Sequence, residues 1–231
     1  DKIKNINNNL YSQIWNYMDK CLKVVFLGES GVGKTSIIKQ FFSNDFSHET
    51  YGPISDQLIF KKTISFPDLG YSIKFDIWDT KGQEKYRSLA QIFYKDANAV
   101  TFVYDITDNS SFESIKNYWY EEVKKNSDRN PVLSVVANKT DLYPIQRVND
   151  SDGKEFADKI GAIFQTTSPL LGTGISTLFD NIGKTYFIPG YDYRIEDRRI
   201  ISEYKMKKER KEEREKEKNN KLFSLIKYLN L

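Results

Sequence analysis

The sequence GESGVGKT, at residues 28–35, follows an apolar run at residues 21–27 (CLKVVFL) and precedes a helical pattern at residues 36–42. A strand, a glycine-rich loop and a helix in this order are what a P-loop requires. Glycines allow successive backbone N–H groups to surround phosphate oxygens, and the following helix directs its positive dipole end at the same anion. The stretch therefore predicts a phosphate-binding loop.

The residues of this loop have separate expected roles. Lys34 supplies a positive charge for the terminal phosphates, and the Thr35 hydroxyl ligates Mg²⁺. The residues expected to contact nucleotide here are Ser30, Gly31, Val32, Gly33, Lys34, Thr35 and Ser36. A chance glycine-rich turn is the alternative, and the complete G-x-x-x-x-G-K-T pattern after a strand argues against it. We therefore expect the chain to bind a nucleoside triphosphate.

Composition limits the other classes of function. The 231 residues suffice for one sizeable core with a surplus, and a net charge of +3 gives no indication of a nucleic-acid partner. Cys21 is the only cysteine, which excludes a disulfide within one chain and suits a reducing compartment. No apolar run reaches the roughly 18 residues of a membrane span, and no secretory signal is present. We expect a cytoplasmic protein that does not bind nucleic acid.

Apolar runs alternate with helical patterns along the rest of the chain. Strands are expected at residues 22–27, 57–66, 71–78, 99–104, 131–137 and 162–166, with a hairpin at residues 67–70. Helices are expected at residues 35–42, 108–125, 150–160 and 173–186. The second is expected to be capped within residues 108–111, with Glu113 as the capping-box partner of Ser110 or a neighbour. The alternation predicts an α/β fold with a mostly parallel six-stranded sheet and helices on both faces.

Three motifs are expected to meet at the carboxyl ends of the strands. They are the P-loop, Asp79 at the end of the third strand, and NKTD at residues 138–141 after the strand PVLSVVA. The Asp141 carboxylate can accept two N–H bonds, which matches the N1–H and exocyclic amine of guanine, whereas adenine offers no such pair of donors. Asn138 can bond the other edge of the base, and the Lys139 stem can lie over the ring. The three motifs together predict a guanine-nucleotide site.

With these motifs, the sequence resembles the Ras superfamily and, within it, the Rab branch, over residues 22–187. The stretches KFDIWDT, GQEKYRSL, FYKDA and FVYDIT are similar to Rab segments, those of the endosomal group above all. The resemblance implies a P-loop GTPase fold, with GTP or GDP and Mg²⁺ as cofactors and Thr35 and Asp79 at the metal. It implies slow GTP hydrolysis that depends on Gln83 and Lys34. It also implies an exchange factor, a GTPase-activating protein and effectors as partners of a switch in vesicle traffic.

The resemblance assigns further residues outside the P-loop. Phe46 would stack on the guanine edge, the Gly82 N–H would meet the γ-phosphate, and Gln83 would orient the attacking water. The family's base-contacting Ser-Ala-Lys motif corresponds here to Ser168, Pro169 and Leu170, of which only the serine matches. No arginine of this chain stands at an evident position to stabilise the charge of the transition state. Fast turnover would then need an arginine from a partner, which raises the rate of hydrolysis by about 10³–10⁵-fold.

Two positions depart from the Rab pattern on the Mg²⁺ and γ-phosphate side. Pro53 stands where the family has a Mg²⁺-ligating threonine, and proline has neither a hydroxyl nor an N–H. Lys81 replaces a small alanine near Asp79, where its ammonium could repel Mg²⁺, reach the γ-phosphate or point to solvent. Unless refolding brings in Thr50 or Ser55, we hypothesise near-normal GDP binding but weakened triphosphate-dependent ordering of this loop. An ordinary Mg²⁺ dependence of GTP affinity, together with a fully ordered loop in the GTP state, would contradict the hypothesis.

Both ends of the chain extend beyond the expected nucleotide-binding domain, residues 21–188. Residues 1–20 are expected to form an N-terminal extension with a short helix. Residues 189–231 are expected to form a charged, helical C-terminal extension whose apolar end could dock on a partner or lie on a membrane surface. A solvated arm without a specific function is the alternative.

The usual lipid anchor of the family has no counterpart in this sequence. Rab proteins end in one or two prenylated cysteines, and this chain has no cysteine besides Cys21. Peripheral contact with endomembranes would then come from the N-terminus, a partner or the terminal helix, unless the C-terminus is truncated. Two functions remain: a Rab-like GTPase switch, or an interaction module with structurally locked nucleotide. An ATP-using P-loop enzyme is a distant third.

Overall fold

The computed structural model describes residues 21–43, 58–66, 71–80, 91–188 and 190–195. The chain divides into two units, Asp1–Ile188 and Pro189–Leu231. In the described part of the second unit, the backbone N–H and Nε of Arg194 both donate to the Asp192 carboxylate. The helix expected in residues 1–20, the hairpin turn 67–70 and the helical tail beyond residue 195 lie outside the described residues.

Six strands and the helices between them make up most of the described chain. The strands are β1 (Cys21–Leu27), β2 (Ile59–Phe66), β3 (Tyr71–Asp79), β4 (Ala99–Asp105), β5 (Val132–Asn138) and β6 (Ile163–Thr167). The α-helices are α1 (Lys34–Ser43), α2 (Gln91–Tyr94), α3 (Asn109–Ser114), α4 (Tyr120–Asn126), α5 (Asp150–Lys159) and α6 (Ile175–Phe187). A π turn, Ile115–Trp119, joins α3 to α4, and a 3₁₀ helix spans Thr140–Ile145. Every expected strand and helix of the domain is present, with small shifts at the ends.

The strands form one six-stranded sheet in the order β2-β3-β1-β4-β5-β6. All neighbours run parallel except β2 and β3, which are antiparallel and pair from Ile59 with Trp78 to Phe66 with Tyr71. Because β1, β3, β4, β5 and β6 run in the same direction, their carboxyl ends share one rim of the sheet. The chain continues from β1 to opposite sides of the sheet, and ligands of open α/β sheets bind at the rim beside such a point. The predicted α/β class and the mostly parallel six-stranded sheet are confirmed.

Both faces of the sheet are covered by helices, as the apolar runs require. Every residue of β4 is buried. On one face, α1 packs against α6 through Phe41 and Phe179, whose ring centroids are 3.7 Å apart. Lys62 of β2 donates to the Phe41 carbonyl at 2.6 Å and so supplies a cation at the C-terminal end of α1, where the helix dipole favours one. These contacts fix the helix that starts at the P-loop.

The start of α3 corrects one detail of the sequence analysis. Asp108 is the N-cap, and its carboxylate accepts the Ser110 backbone N–H at 2.9 Å. The Glu113 carboxylate instead pairs with Lys116 and accepts the Asn117 side-chain amide one turn further on. The cap expected within residues 108–111 is therefore confirmed at Asp108. Glu113 as its capping-box partner is wrong, because it stands five residues after the N-cap and the motif requires three.

A glycine inside α5 marks close packing of this helix on the sheet. A Cβ at Gly153 would lie 2.3 Å from the Tyr104 hydroxyl oxygen and 2.8 Å from a ring carbon of Phe164. The buried Tyr104 hydroxyl has no hydrogen-bond partner among the residues that the structure describes. Alanine normally stabilises a helix by about 1 kcal/mol relative to glycine. At position 153 the steric clash of a Cβ would oppose this gain.

We expect Gly153→Ala to lower the free energy of unfolding by about 1–3 kcal/mol, because overpacking outweighs helix propensity. Adding Tyr104→Phe should restore part of the loss, since it removes the nearest atom and an unsatisfied hydroxyl. Urea denaturation at saturating GDP measures both variants. Ser151→Ala, at an exposed position of the same helix, is the control. A Gly153→Ala protein as stable as the parent would contradict the packing argument.

Candidate functional site

The loop that follows β1 can be built only with glycine at two positions. Gly28 has a φ of +144°, and a Cβ there would lie 2.2 Å from the Val103 carbonyl oxygen of β4. Gly33 has a φ of +98°, and its Cβ would lie 2.3 Å from the side-chain nitrogen of Asn138. Side chains are excluded at both positions by conformation and by space. The loop is thus pressed against β4 on one side and the β5 loop on the other.

Lys34 occupies the centre of this loop and is 5% exposed. Its Nζ donates to the carbonyl oxygens of Gly28 at 2.9 Å and Glu29 at 2.8 Å. The loop backbone therefore curves around a buried ammonium at the start of α1. A positive charge and a helix N-terminus on the same loop favour a polyanion. The predicted phosphate-binding role of Lys34 fits this geometry.

The metal-binding candidates from β3 and α1 lie in direct contact. The Thr35 hydroxyl donates to the Asp79 carboxylate at 2.6 Å, and Asp79 is 1% exposed. The neighbouring Thr80 hydroxyl donates to the Phe26 carbonyl at 2.8 Å and fixes the end of β3 beside β1. Mg²⁺ prefers oxygen ligands and is commonly held by one or two protein groups together with substrate phosphates. Thr35 and Asp79 fit such an ion beside the P-loop.

In the described ranges, no group of three or more His, Cys, Asp or Glu side chains is placed so that it could hold a metal ion by itself. A site that relies on a phosphate for part of its coordination needs no such cluster, because the phosphate oxygens complete the ligand set. The oxygen donors of Thr35 and Asp79 fit a Mg²⁺ ion that is held in part by phosphate.

Asn138 connects three of the segments on the rim. Its side-chain nitrogen donates to the Val32 carbonyl at 2.8 Å, and its side-chain oxygen accepts the Thr167 hydroxyl at 2.9 Å. The side chain is buried, and its amide nitrogen has a second N–H to offer. Asn138 therefore fixes the P-loop to the predicted base-binding loop and keeps one N–H that could be donated to a base.

Asp141 and Ser168 form the second contact of the predicted base site. The Ser168 hydroxyl donates to Oδ1 of Asp141 and accepts the backbone N–H of Leu171 at 3.2 Å. Asp141 is half-buried and Ser168 fully buried. A hydroxyl held in this way orients the carboxylate, which is what recognition of two adjacent N–H donors requires.

Lys139 has a left-handed backbone, with φ of +67°, at the turn into the 3₁₀ helix. Its Nζ pairs with the Asp105 carboxylate at 2.6 Å. Burial disfavours the charged form of Asp105, but the bonds from Lys139 and Thr107 outweigh it, so the pKa of this carboxyl lies below its ordinary value. The ion pair fixes the far end of the side chain whose stem is predicted to lie over the base.

The remaining predicted residues are placed as follows. Ser30, Gly31 and Ser36 are exposed on the P-loop and α1, Val32 is buried, and Pro169 is half-buried beyond β6. Leu170 is 80% exposed. Phe46, Gly82 and Gln83 lie outside the described residues, as do Pro53 and Lys81.

Three site residues were not predicted from the sequence. The Asp105 carboxylate forms an ion pair with Lys139, and the Thr167 hydroxyl donates to the side-chain oxygen of Asn138. The backbone carbonyl of Glu29 accepts a hydrogen bond from the Lys34 ammonium. Asp105 and Thr167 are polar residues at the carboxyl ends of buried strands, which is the signal that could have identified them. Glu29 stands inside the P-loop motif at a position where the motif specifies no residue type.

The fold and the site define a P-loop nucleotide-binding protein with a carboxylate-bearing base loop. A family model described as the Ras family matches residues 23–187. Among curated relatives, mouse Ras-related protein Rab-31 is 39% identical over 163 residues, 71% of this chain and 82% of the relative. Human Ras-related protein Rab-22A is 37% identical over 171 residues, 74% of this chain and 85% of the relative.

A third relative provides a similar match. Ras-related protein Rab-11A of Dictyostelium discoideum is 35% identical over 164 residues, 71% of this chain and 75% of the relative. The chain belongs to the Ras family. It is a Rab-like small GTPase, a class that binds GTP or GDP with Mg²⁺, is controlled by regulators, engages effectors and functions in membrane traffic. The predicted resemblance is confirmed.

Within the described ranges, no helix is long and apolar enough to cross a membrane.

Proposed function

We propose that this protein is a guanine-nucleotide switch of vesicle traffic that hydrolyses GTP slowly and is reset by exchange. The observation that carries the proposal is the Asn138 side chain, which joins the phosphate loop at Val32 to the base loop that carries Asp141. One nucleotide can then be held at both ends by a single preorganised rim.

The phosphate end is formed by the P-loop and the start of α1. The buried Lys34 ammonium is held by two loop carbonyls, so the loop itself fixes the position of its charge. Little reorganisation is then needed when a polyanion binds, which favours affinity. The Thr35 hydroxyl and the Asp79 carboxylate would hold the ion that, when bound, neutralises charge on the β- and γ-phosphates.

The base end selects guanine by hydrogen-bond polarity. The Asp141 carboxylate, oriented by Ser168, accepts the N1–H and the exocyclic amine. Asn138 donates its second N–H to the other edge of the base, and the Lys139 stem covers one ring face while Asp105 holds its ammonium. Adenine would face the carboxylate with an acceptor at N1, and a buried polar mismatch is costly.

The hydrolysis step depends on Gln83, whose role comes from the family resemblance. Gln83 orients the attacking water, and Lys34 withdraws charge from the phosphates as the bond to the leaving group breaks. With these two groups alone the intrinsic rate is slow, and a partner's arginine would accelerate it.

Replacing Gln83 with leucine should slow intrinsic GTP hydrolysis about tenfold or more, because the water loses its orienting amide. Single-turnover hydrolysis of pre-bound GTP measures the effect without interference from product release. Gln91→Leu is the matched control, since Gln91 is exposed at the start of α2 and has no proposed role in the chemistry.

The same measurement separates the switch from a module with structurally locked nucleotide. A parent protein that retains GTP intact, with or without Gln83, would favour the locked module. The Rab relatives do not favour that alternative.

The partners follow from the switch function. An exchange factor, a GTPase-activating protein and effectors would recognise the nucleotide state, and peripheral endomembrane contact would bring the switch to its site.

A further inference from the structure

Glu29 places a carboxylate inside a loop that binds phosphate, and this charge needs compensation. Its Oε1 accepts the Ser114 hydroxyl and, at 3.3 Å, the Trp119 indole N–H. Both donors come from the helical stretch at residues 109–126, which is remote from the P-loop in sequence. The backbone carbonyl of the same glutamate accepts the Lys34 ammonium. Glu29 therefore connects the phosphate loop to this helical stretch through one residue.

The π turn explains how two donors five positions apart reach one oxygen. In an α-helix with 3.6 residues per turn, residues 114 and 119 would point about 140° apart. In a π turn the backbone bond joins residues i and i+5, so residues five apart lie on nearly the same face. The Tyr120 N–H donates to the Ile115 carbonyl in this manner. The extra width of the turn thus places Ser114 and Trp119 side by side opposite Glu29.

The indole donor is held in the core. Trp119 is 1% exposed and packs edge-to-face on Tyr118, with ring centroids 5.0 Å apart. It belongs to the same buried cluster as Leu27, the last residue of β1. A hydrogen bond from such a residue constrains the loop that receives it, because interiors are packed too densely for independent motion.

We propose that Glu29 is a positioning residue that holds the P-loop against Ser114 and Trp119 and thereby slows nucleotide dissociation. The inference rests on the proposed guanine-nucleotide site and concerns the lifetime of the complex. The constrained backbone keeps the Glu29 carbonyl on the Lys34 ammonium, so the phosphate cradle stays formed. The indole N–H of Trp119 is then a reporter of the state of the loop.

Dissociation of a fluorescent GDP derivative, started by excess unlabelled GDP, measures the effect. Glu29→Ala should dissociate about tenfold faster than the parent, because it loses an acceptor of two charge-assisted hydrogen bonds. Glu29→Gln should stay within about threefold of the parent, since it keeps the acceptor oxygen. Ser114→Ala combined with Trp119→Phe removes the donors from the other side and should reproduce the acceleration if Glu29→Ala fails to fold.

The control is Glu122→Ala on α4. The Glu122 carboxylate also accepts two side-chain donors, from Tyr94 at 3.3 Å and Asn126 at 3.1 Å, and neither belongs to the P-loop. Its loss should lower stability while leaving GDP dissociation unchanged. Equal acceleration by Glu122→Ala would show a general loss of stability and would overturn the positioning role.

The indole N–H resonances of tryptophan give a readout that general destabilisation does not move. The chain has three tryptophans, and Trp119→Phe identifies the resonance of interest. In the GDP-bound protein this resonance should shift in Glu29→Ala and stay near its parent position in Glu122→Ala. An unchanged resonance and an unchanged dissociation rate in Glu29→Ala would overturn the inference while the guanine-nucleotide site still stood. A parent protein that binds no guanine nucleotide would overturn both.

Discussion

Replacing Lys34 with alanine should reduce the affinity for GDP and GTP by about a hundredfold or more, since charge-assisted hydrogen bonds to phosphate are among the strongest that a side chain makes. The loss has two physical sources. The phosphates lose a cation that stands in a nearly buried position, 5% exposed, where water screens charge poorly. The loop also loses the donor that holds the Gly28 and Glu29 carbonyls together.

Titration with a fluorescent GDP derivative measures the change, and the GDP-dependent rise in melting temperature provides a second reading. A ligand stabilises the folded state in proportion to the logarithm of its concentration over Kd, so weaker binding should shrink this rise. Lys34→Met keeps the length of the side chain and removes the charge, which separates the charge from the packing of the stem.

Lys39→Ala is the matched control for Lys34. Lys39 lies on the same helix and is exposed, so its loss changes the net charge equally without touching the loop. Comparable losses of affinity in the two variants would assign the effect to long-range charge. Full GDP affinity in Lys34→Met would show that the loop binds phosphate through its backbone alone.

The parts of this protein that could be predicted are those encoded by local sequence. The strand β4 was predicted because its run AVTFVY is apolar at every position, and the structure buries all of β4. The P-loop was predicted because a loop of glycines with a lysine is contiguous in the chain. Asp79 and the NKTD loop were placed on the same rim because the direction of parallel strands determines where their ends lie.

The contacts that were not predicted depend on how distant segments are aligned. Asp105 reaches Lys139 because β4 and β5 pair in a register that sets Asp105 opposite Asn138. No local pattern specifies that register, since both strands are apolar along most of their length. The hydrogen bonds from Ser114 and Trp119 to Glu29 add a second requirement, because they need a π turn. The helical periodicity at residues 108–125 gives no sign of that turn. The capping-box prediction failed for a local reason, because Ser110 matched the motif while the helix began after Asp108.

Changing Asp141 to asparagine should invert the base preference from guanine toward xanthine. The carboxylate accepts two N–H donors, whereas an asparagine amide accepts one and donates one. Xanthine carries a carbonyl in place of the exocyclic amine of guanine, so it offers the matching donor and acceptor. GDP affinity should fall on the order of a hundredfold, since one charge-assisted bond is lost and two N–H groups are forced to face each other.

The contact between Ser168 and Asp141 makes this substitution a specific test of base recognition. Ser168 donates to Oδ1 of Asp141, and the asparagine can keep that bond with its own oxygen, so the loop need not rearrange. Competition between GDP and xanthosine diphosphate for one fluorescent nucleotide gives the ratio of affinities directly. Asp128→Asn, an exposed position before β5 at the opposite end of the sheet, makes the same charge change and should leave the ratio unchanged.

The result would decide what gives this site its specificity. A shift of preference to xanthine would establish that Asp141 recognises the base by the polarity of its hydrogen bonds, as a specific mismatch in a polar site requires. A uniform loss of affinity for both nucleotides would instead mean that Asp141 only supports the Ser168 loop. Unchanged preference with unchanged affinity would remove the guanine assignment itself, and with it the basis for the switch.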